Sequence, residues 1–288
     1  MNTHEESVQI KKGKYVFTLK NRINTYENII MSHAFYIGGV EDCIDLNINY
    51  KNNVPVSAHL IQVEYSSKCE MHANLDKGGG TRIMLYTLFE YLHNKFPDMK
   101  DIYFEDMSRI DCATITEKEN KSRFLRGRSL VKPIDLCRFS IAFNGVTWYE
   151  KYFDAKLSDP VAHAKYREEV NKLLAHKPTI EELQLKPGET FEQIVGIYRD
   201  NENLTFKELC NKIPPEDRCL HARVWLIQYV SKILGNNFNH NGWVIKLPLN
   251  EVQRGGTRNR QSRKYYCPKG FRRSHFTRRE CIESSDYI

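Results

Sequence analysis

Hydrophobic and polar residues alternate along much of the first 65 positions of the chain. Strand-like segments cover residues 14–20, 32–38, 42–50 and 54–65. Alternation is strict from Ile44 to Tyr50, where every even position is apolar and every odd position polar, as in a half-buried strand. Residues 51–53 (Lys-Asn-Asn) are a turn signal, so the last two segments predict a hairpin of long antiparallel strands. Residues 1–13 are polar, and we expect a loose start.

The apolar spacing changes from two to three and four after a run of glycines. Residues 78–95 predict a mostly buried helix that begins at these glycines. A short strand follows at residues 101–107, so the helix is expected to connect two strands by a crossover. Residues 135–157 predict a second helix, with Gly145 tolerated inside it at a cost of about 1 kcal/mol.

The character of the chain changes after Pro160, where charged helical segments are interrupted by prolines. The clearest helix lies between Pro214 and Gly235, because Pro-Pro-Glu-Asp favours a helix start and glycine suits a helix end. A turn and a short strand follow, an order that also suits a winged-helix-like unit with its wing at residues 239–242. We therefore expect an α+β fold in three parts: a mixed β-sheet with flanking helices at 1–158, a smaller, mostly helical domain at 159–251, and a basic tail at 252–288.

Length and composition narrow the class of protein. The chain has 288 residues, of which 41% are apolar, which is enough to bury a core and unlike collagen, coiled-coil or disordered classes. Its longest apolar run is far shorter than the roughly 20 residues that span a bilayer. The first 20 residues lack the apolar segment of a signal peptide. We expect a soluble cytoplasmic protein or, if the chain is viral, one of the host cytoplasm or the virion.

The cysteines do not form a recognisable metal motif. Eight are scattered along the chain without the Cys-x-x-Cys pairs of common zinc modules, and the spacing of Cys267, His275 and Cys281 does not fit those modules either. In a non-secreted protein reduced thiols are the default, and most act as small buried hydrophobic residues. We therefore expect free cysteines and no metal site.

Positive charge is concentrated in the tail. The formal net charge is +7, and the last 38 residues, with ten Lys or Arg against four acids, carry +6 of it. Arginines that contact phosphates, interleaved with aromatic residues that stack on bases, are typical of nucleic-acid-binding segments. The candidate residues are Arg258, Arg260, Arg263, Lys264, Tyr265, Tyr266, Arg272, Arg273, Arg278 and Arg279. A tail that threads through a protein assembly and a solvated, disordered tail are the alternatives.

A glycine turn lies between the predicted hairpin and the first helix, at Lys77, Gly78, Gly79, Gly80 and Thr81. Such a turn at a helix N-terminus exposes backbone N–H groups and the positive end of the helix dipole, which suits a phosphate or pyrophosphate. The segment matches neither G-x-G-x-x-G nor the Walker A motif, so dinucleotide and nucleoside-triphosphate binding lose support. A flexible loop end is the alternative.

The order of hairpin, glycine turn, helix and strand continues into a helix that carries Tyr149, Glu150 and Lys151. This order resembles the GNAT superfamily of N-acetyltransferases over residues 40–158. In that family a segment like Arg/Gln-x-x-Gly-x-Gly cradles a pyrophosphate, and a later helix carries a pattern like Tyr-Glu-Lys-x-Gly-Phe. The glycine turn corresponds to the first segment and Tyr149 begins the second.

Three departures accompany the resemblance. Leu75 stands in place of the usual Arg or Gln, the loop at residues 66–77 is longer than usual, and Phe153-Asp154 replaces Gly-Phe. Residues 97–112 and 147–157 also resemble uncharacterised GNAT-like proteins of large DNA viruses.

The resemblance implies an N-acyltransferase that moves an acetyl group from acetyl-CoA to an amine. The glycine turn would hold the pyrophosphate, and a backbone N–H of the preceding strand would polarise the thioester carbonyl. Tyr149 would protonate the leaving thiolate as general acid. For the base, the strand ends offer Glu64 and Glu105, with Asp106 as an alternative to Glu105.

Each of these assignments has a plainer alternative. The acids also suit solvated surface positions, and Tyr149 also suits a half-buried helix aromatic. The rival function is a non-catalytic virion or minor-capsid component, or a nucleic-acid-binding protein, that retains the GNAT fold.

Overall fold

Long antiparallel strands fill the beginning of the chain in the computed structural model. They are β1 Asn2–Lys12, β2 Tyr15–Tyr26, β3 Ile29–Gly38, β4 Asp42–Lys51 and β5 Val54–Val63. Each pairs antiparallel with the next. Asn52 and Asn53 have φ values of 51° and 62°, as two-residue hairpin turns require. The predicted hairpin of β4 and β5 is confirmed.

The expected loose start at residues 1–13 is wrong, because this segment forms β1. Each residue of the strand pairs with a residue of β2, from Asn2 opposite Thr25 to Lys12 opposite Tyr15. Most β1 side chains are exposed, so the strand carries few core residues for a hydrophobic pattern to reveal. Pairing of the backbone, rather than burial, defines it.

A helix connects β5 to the next strand of the sheet. The helix is α1, Gly79–Lys95, and the strand is β6, Asp101–Phe104. β6 lies parallel to β5, an arrangement that requires a crossover and excludes a hairpin. The predicted strand, helix and strand are confirmed.

The remaining strands come from later parts of the chain. β7 Arg109–Ile110 and β8 Ile134–Asp135 form a separate antiparallel pair. β9 Lys156–Leu157 and β10 Trp243–Lys246 join the main sheet. In the described part of the chain this sheet has eight strands in the order β1-β2-β3-β4-β5-β6-β10-β9. It is mixed, because β5 and β6 are parallel while the other neighbours are antiparallel.

The second predicted helix is two helices. α2 is Leu136–Asn144 and α3 is Trp148–Phe153. Gly145 has a φ of 76° and caps α2, so it ends the helix instead of lying inside one. Thr147 then caps α3 through its side chain and a reciprocal bond from Glu150.

The following segment is helical, as predicted. Its helices are α4 Pro160–Ala175, α5 Glu192–Asp200, α6 Phe206–Lys212, α7 Arg218–His221 and α8 Ile227–Leu234, with the π-helical residues Ala222–Leu226 between the last two. Gly235, with a φ of 71°, ends α8 as expected. Among the helices that the structure describes, none is both long and apolar enough to cross a bilayer.

The structure describes residues 1–27, 29–64, 66–72, 75, 79–110, 134–183, 192–200, 203–235, 242–249, 271–273 and 281–283. Contacts divide the chain into two compact units, Met1–Gln253 and Arg254–Ile288. The sequence placed a boundary at residue 158, but β10 comes from beyond it and is an inner strand of the main sheet. In the second unit, β11 Phe271–Arg273 pairs antiparallel with β12 Cys281–Glu283.

Helices α1, α3 and α4 pack on one face of the sheet. The ring centroids of Phe89 in α1 and Phe153 in α3 are 5.6 Å apart, and those of Tyr166 in α4 and Trp243 in β10 are 5.5 Å apart. Side chains that point to the other face are mostly exposed or half-buried, as Tyr103 of β6 is, although Val244 of β10 is buried. The sheet therefore has one covered and one open face, as antiparallel sheets often do.

The segment between β5 and α1 is attached to two inner strands of the sheet, β4 and β2. Cys69 forms a disulfide with Cys43 at the start of β4. The buried carboxylate of Glu70 accepts hydrogen bonds from the backbone N–H groups of Val16 at 2.8 Å and His72 at 2.6 Å. These bonds fix the chain just before the glycine turn.

The expectation of free cysteines is wrong for this pair. The two cysteines are 26 positions apart, and no sequence signal shows that the loop returns to β4. Cys219 is also disulfide-bonded. Among the described cysteines, Cys137 and Cys210 are free and buried.

Removing the disulfide in the double variant C43A/C69A should lower the free energy of unfolding by about 3 to 4 kcal/mol. The physical reason is that the bond closes a loop of 26 positions and so restricts the unfolded chain. Urea denaturation measures the change, with C210A as a control that truncates a buried free cysteine. A loss in the double variant no larger than that in the control would contradict the assigned role.

Candidate functional site

The ladder between the parallel strands β5 and β6 is short. In the described chain the pairs are Ser57–Asp101, Ala58–Ile102 and His59–Tyr103. β5 continues to Val63, whereas β6 ends at Phe104 and pairs on its other side with β10. The ladder therefore ends at the C-terminal ends of two parallel strands, and the chain leads from the first of them through residues 64–78 to the start of α1. Open sheets bind ligands at such strand ends.

A bulge lies in β5 just beyond the end of its ladder with β6. Leu60 pairs with Leu46 and Gln62 pairs with Asp45, so Ile61 is an extra residue on β5. The extra residue of a bulge is left out of the regular ladder, and bulges are frequent beside active sites. The Ile61 side chain is 52% exposed. The bulge has no sequence signal, because Leu60, Ile61 and Gln62 have the pattern of an ordinary strand.

The first two residues of α1 are glycines in different surroundings. A Cβ atom on Gly79 would meet no atom of a described residue within 4 Å, so none of the described side chains fills the space beside this glycine. A Cβ atom on Gly80 would lie 2.5 Å from Cγ of Leu75, so Gly80 is required by close packing. Lys77 and Gly78, predicted to belong to the same anion site, lie outside the described residues.

The first turn of α1 also carries the buried Thr81 and the half-buried Arg82. The Arg82 guanidinium lies 5.0 Å from the ring centroid of Tyr152 in α3. Its enclosed Nε has no hydrogen-bond partner among the described residues. This turn of α1 contains no acidic residue. The positive end of the helix dipole repels a cation at a helix N-terminus. A bound anion would therefore be stabilised by the cation and by the dipole.

Tyr149, the predicted general acid, lies in α3 against the end of β6. Its ring centroid is 4.4 Å from that of Phe104, and its side chain is 5% exposed. Burial, with a smaller contribution from the Asp106 carboxylate, raises the pKa of Tyr149 far above its ordinary value. The hydroxyl therefore stays protonated, which makes it a proton donor and not a base.

The two predicted bases, Glu64 and Glu105, directly follow β5 and β6, and both side chains are exposed. The backbone N–H of Glu64 donates to the carbonyl of Cys43 at 2.7 Å, and the carbonyl of Glu105 accepts from the N–H of Met107 at 3.0 Å. The structure thus places one acid at the end of each parallel strand, in contact with solvent. Their catalytic roles stay predictions.

Asp106 is the buried acid at this edge of the sheet. Its side chain is 1% exposed, and Oδ1 accepts hydrogen bonds from the backbone N–H and the hydroxyl of Ser108 at 3.3 and 2.5 Å. No described N–H or O–H group donates to Oδ2, and the Cys137 thiol lies beside the carboxylate. Burial raises the pKa of Asp106 to about 6, against the lowering effect of Ser108. A carboxylate that titrates near neutral pH beside Tyr149 is suited to proton transfer.

The sequence offers Asp106 only as an alternative to Glu105. Both residues follow the same strand, and they differ in burial, which depends on how α2 and α3 cover the end of β6. The available signal was the alternation of Ile102, Phe104 and Asp106, which places the aspartate on the buried side.

Glu150 of the Tyr-Glu-Lys pattern has a structural role. Its carboxylate accepts hydrogen bonds from the Thr147 N–H at 2.7 Å and the Tyr166 hydroxyl at 2.8 Å, and it pairs with Arg167 at 3.3 Å. These contacts join the start of α3 to α4 and fix the helix that carries Tyr149.

The tail candidates are largely beyond what the structure describes. The backbone of Arg272 and Arg273 lies in β11. The others, Arg258, Arg260, Arg263, Lys264, Tyr265, Tyr266, Arg278 and Arg279, lie outside the described residues. The nucleic-acid interface therefore stays a prediction from sequence.

No protein-family model, curated protein or solved structure matches the chain. Among the described residues, no group of three or more His, Cys, Asp and Glu side chains could hold a metal ion.

The raised pKa of Asp106 predicts how its replacement changes stability with pH. An aspartate in the unfolded chain, with a pKa of 3.8, is largely ionised above pH 4. In the folded protein Asp106 keeps its proton up to about pH 6. Above pH 6 the ionised carboxylate therefore opposes folding. D106N should raise the free energy of unfolding at pH 8 by about 2 to 3 kcal/mol and change it little at pH 4.

Urea denaturation at both pH values tests this prediction. D98N, which neutralises an exposed aspartate, is the control and should be near neutral at both. A D106N variant that is equally destabilised at pH 4 and pH 8 would show that the carboxylate is not held in an unfavourable ionised state.

Proposed function

We propose that the chain is a GNAT-like N-acyltransferase that transfers an acetyl group from acetyl-CoA to an amine. The observation that carries the proposal is the early end of the β5–β6 ladder beside the glycine start of α1. Beyond the last pair, His59–Tyr103, β5 continues for four residues and β6 for one, so the end of β5 has no described partner in β6. The resemblance places the thioester between these strand ends and its pyrophosphate at the glycine turn.

The anion end of the proposed site is the first turn of α1. Gly79 leaves room for a phosphate near the helix N-terminus, and Arg82 supplies a guanidinium with an unpartnered Nε among the described residues. Backbone N–H groups, the helix dipole and this cation all favour negative charge. Lys77 would add a second cation.

The acyl end of the proposed site lies between β5 and β6. Acetyl-CoA supplies the acyl group as a thioester, and the amine displaces the thiolate, so that a C–N bond replaces a C–S bond. The backbone N–H of Ile61, at the bulge, polarises the carbonyl and stabilises the developing oxyanion. This is the role that the resemblance gives to a backbone N–H of the strand before the glycine turn.

Proton transfer in this proposal uses two groups at the end of β6. Asp106 takes the proton that the attacking amine loses, since its pKa of about 6 is close to the working pH. Tyr149 gives a proton to the departing thiolate. Because burial raises the pKa of Tyr149, this transfer needs the negative charge that develops on sulfur next to it. Glu64 and Glu105 are the alternative bases on the solvent side.

The rival candidate is a non-catalytic protein that retains the fold. Its support is the ten cations without an acid between Val252 and Arg279, which favour a polyanionic partner such as nucleic acid. The burial of Tyr149 is also compatible with a purely structural aromatic. A virion or minor-capsid component would combine both features.

Acetyl-CoA binding measured by calorimetry tests the proposed site through Gly79. G79E places a carboxylate where the pyrophosphate should lie and fills space that no described side chain occupies, so it should weaken binding by about tenfold or more. G79Q is the matched control, because it has the same size without the charge, and its effect should be several times smaller.

Two results would end the proposal. One is the absence of heat on titrating the wild-type protein with millimolar acetyl-CoA. The other is equal affinity of wild type, G79E and G79Q, because the pyrophosphate would then lie elsewhere. Binding without transfer to any amine would favour the non-catalytic rival. Gly80 is unsuitable for this experiment, because any side chain there meets Leu75.

A further inference from the structure

β1 is the outermost strand of the main sheet. One side of it pairs with β2 over all 11 residues, and no described strand pairs with the other side. At about 3.3 Å per residue the free edge is about 36 Å long. An unpaired edge presents a row of backbone N–H and C=O groups that pairs readily with another strand.

This edge lacks three features that commonly prevent a free strand edge from pairing with another strand. Its sequence contains no proline, its register with β2 is continuous, and the strand is long. Proteins commonly use prolines, bulges or very short strands to prevent edge pairing. Val8, at the middle of β1, is 45% exposed although it lies opposite the buried Leu19 of β2.

Charged side chains are another feature that prevents edge pairing, and β1 contains them. Their order along the strand, however, is complementary to that of a second β1 running in the opposite direction. Glu5 and Glu6 lie in the first half of the strand, and Lys11 and Lys12 lie in the second half. Antiparallel pairing of two copies brings the acidic half of one strand opposite the basic half of the other. Parallel pairing in register would bring like charges together, which is unfavourable.

Backbone geometry limits the register of such a pair. Alternate residues of a strand direct their N–H and C=O groups to the same edge. Two residues that lie opposite each other in a symmetric antiparallel pair must therefore be an even number of positions apart, which puts the two-fold axis on a residue and not between two. Centring on Val8 places Glu5 opposite Lys11 twice, and Val8 opposite its own copy. Lys11 makes no ion pair with a described residue, whereas Lys12 already contacts Glu90 at 2.5 Å.

We propose that two copies of this chain associate through β1, antiparallel and centred on Val8, so that their sheets become continuous. A second copy is favoured over an unrelated strand because the charge pattern of β1 matches its own reverse. Glu5, which contacts Arg22 at 2.7 Å, then lies between Arg22 and the partner's Lys11. The two Val8 side chains cover each other on the face that carries α1.

Sedimentation velocity of the full chain at low ionic strength tests the proposal, over concentrations from about 1 to 200 µM that span micromolar dissociation constants. The wild-type protein should show a monomer–dimer equilibrium. K11E should raise the dissociation constant by about tenfold, because two attractive pairs become repulsive. The double variant E5K/K11E restores opposite charges at both positions and should recover part of the loss, since the new lysine also lies next to Arg22 of its own chain.

K51E is the matched control, because it makes the same charge change on an exposed lysine of β4, which is separated from β1 by two strands. It should leave the equilibrium unchanged. V8K, which places like charges on the two-fold axis, should give a monomer, with circular dichroism to confirm that it is folded.

Several outcomes would overturn the proposal. A wild-type monomer across the whole range would do so, as would a dimer that neither K11E nor V8K weakens. Weakening by K11E without recovery in E5K/K11E would overturn the register centred on Val8.

Discussion

The arrangement of the candidate site depends on the parallel pairing of β5 and β6. Parallel neighbours cannot be joined by a hairpin, so the chain must cross over, and α1 is that crossover. The crossover brings the N-terminus of α1 to the edge at which both strands end. The ladder then stops after His59 and Tyr103, so the bulged Ile61 lies beyond its last pair. The crossover helix between the two strands is therefore a consequence of one topological constraint, whereas the bulge belongs to the antiparallel ladder of β4 and β5.

Helix packing on the covered face of the sheet buries two polar side chains, Tyr149 and Asp106, at the end of β6. α3 places Tyr149 against Phe104, and the same packing encloses Asp106 and raises its pKa to about 6. An ionised carboxylate that is buried in this way opposes folding at neutral pH, and groups of this kind are concentrated at functional sites. Glu150, by contrast, satisfies its charge with Arg167 and a cap, so this residue of the motif has a structural role.

Sequence patterns were informative where burial and turns repeat along the chain. The alternation before Asn52 predicted the hairpin, and the glycines predicted the start of α1, because both signals are local. β1 was missed because its side chains are exposed and its partner strand alone defines it. Gly145 was misplaced inside a helix, since a left-handed cap and an interior glycine look alike in sequence. The burial of Asp106 and the Cys43–Cys69 bond depend on tertiary packing, which no local pattern contains.

The central claim is that acetyl-CoA occupies the opening between β5 and β6. Hydrogen–deuterium exchange followed by mass spectrometry, with and without acetyl-CoA, measures this most directly. The account predicts slower exchange in peptides that cover Leu60–Glu64 and the first turn of α1, because their backbone N–H groups contact the thioester and the pyrophosphate. Peptides from the hairpin of β1 and β2 should exchange at the same rate in both samples. Unchanged exchange at Leu60–Glu64 under saturating ligand would contradict the account.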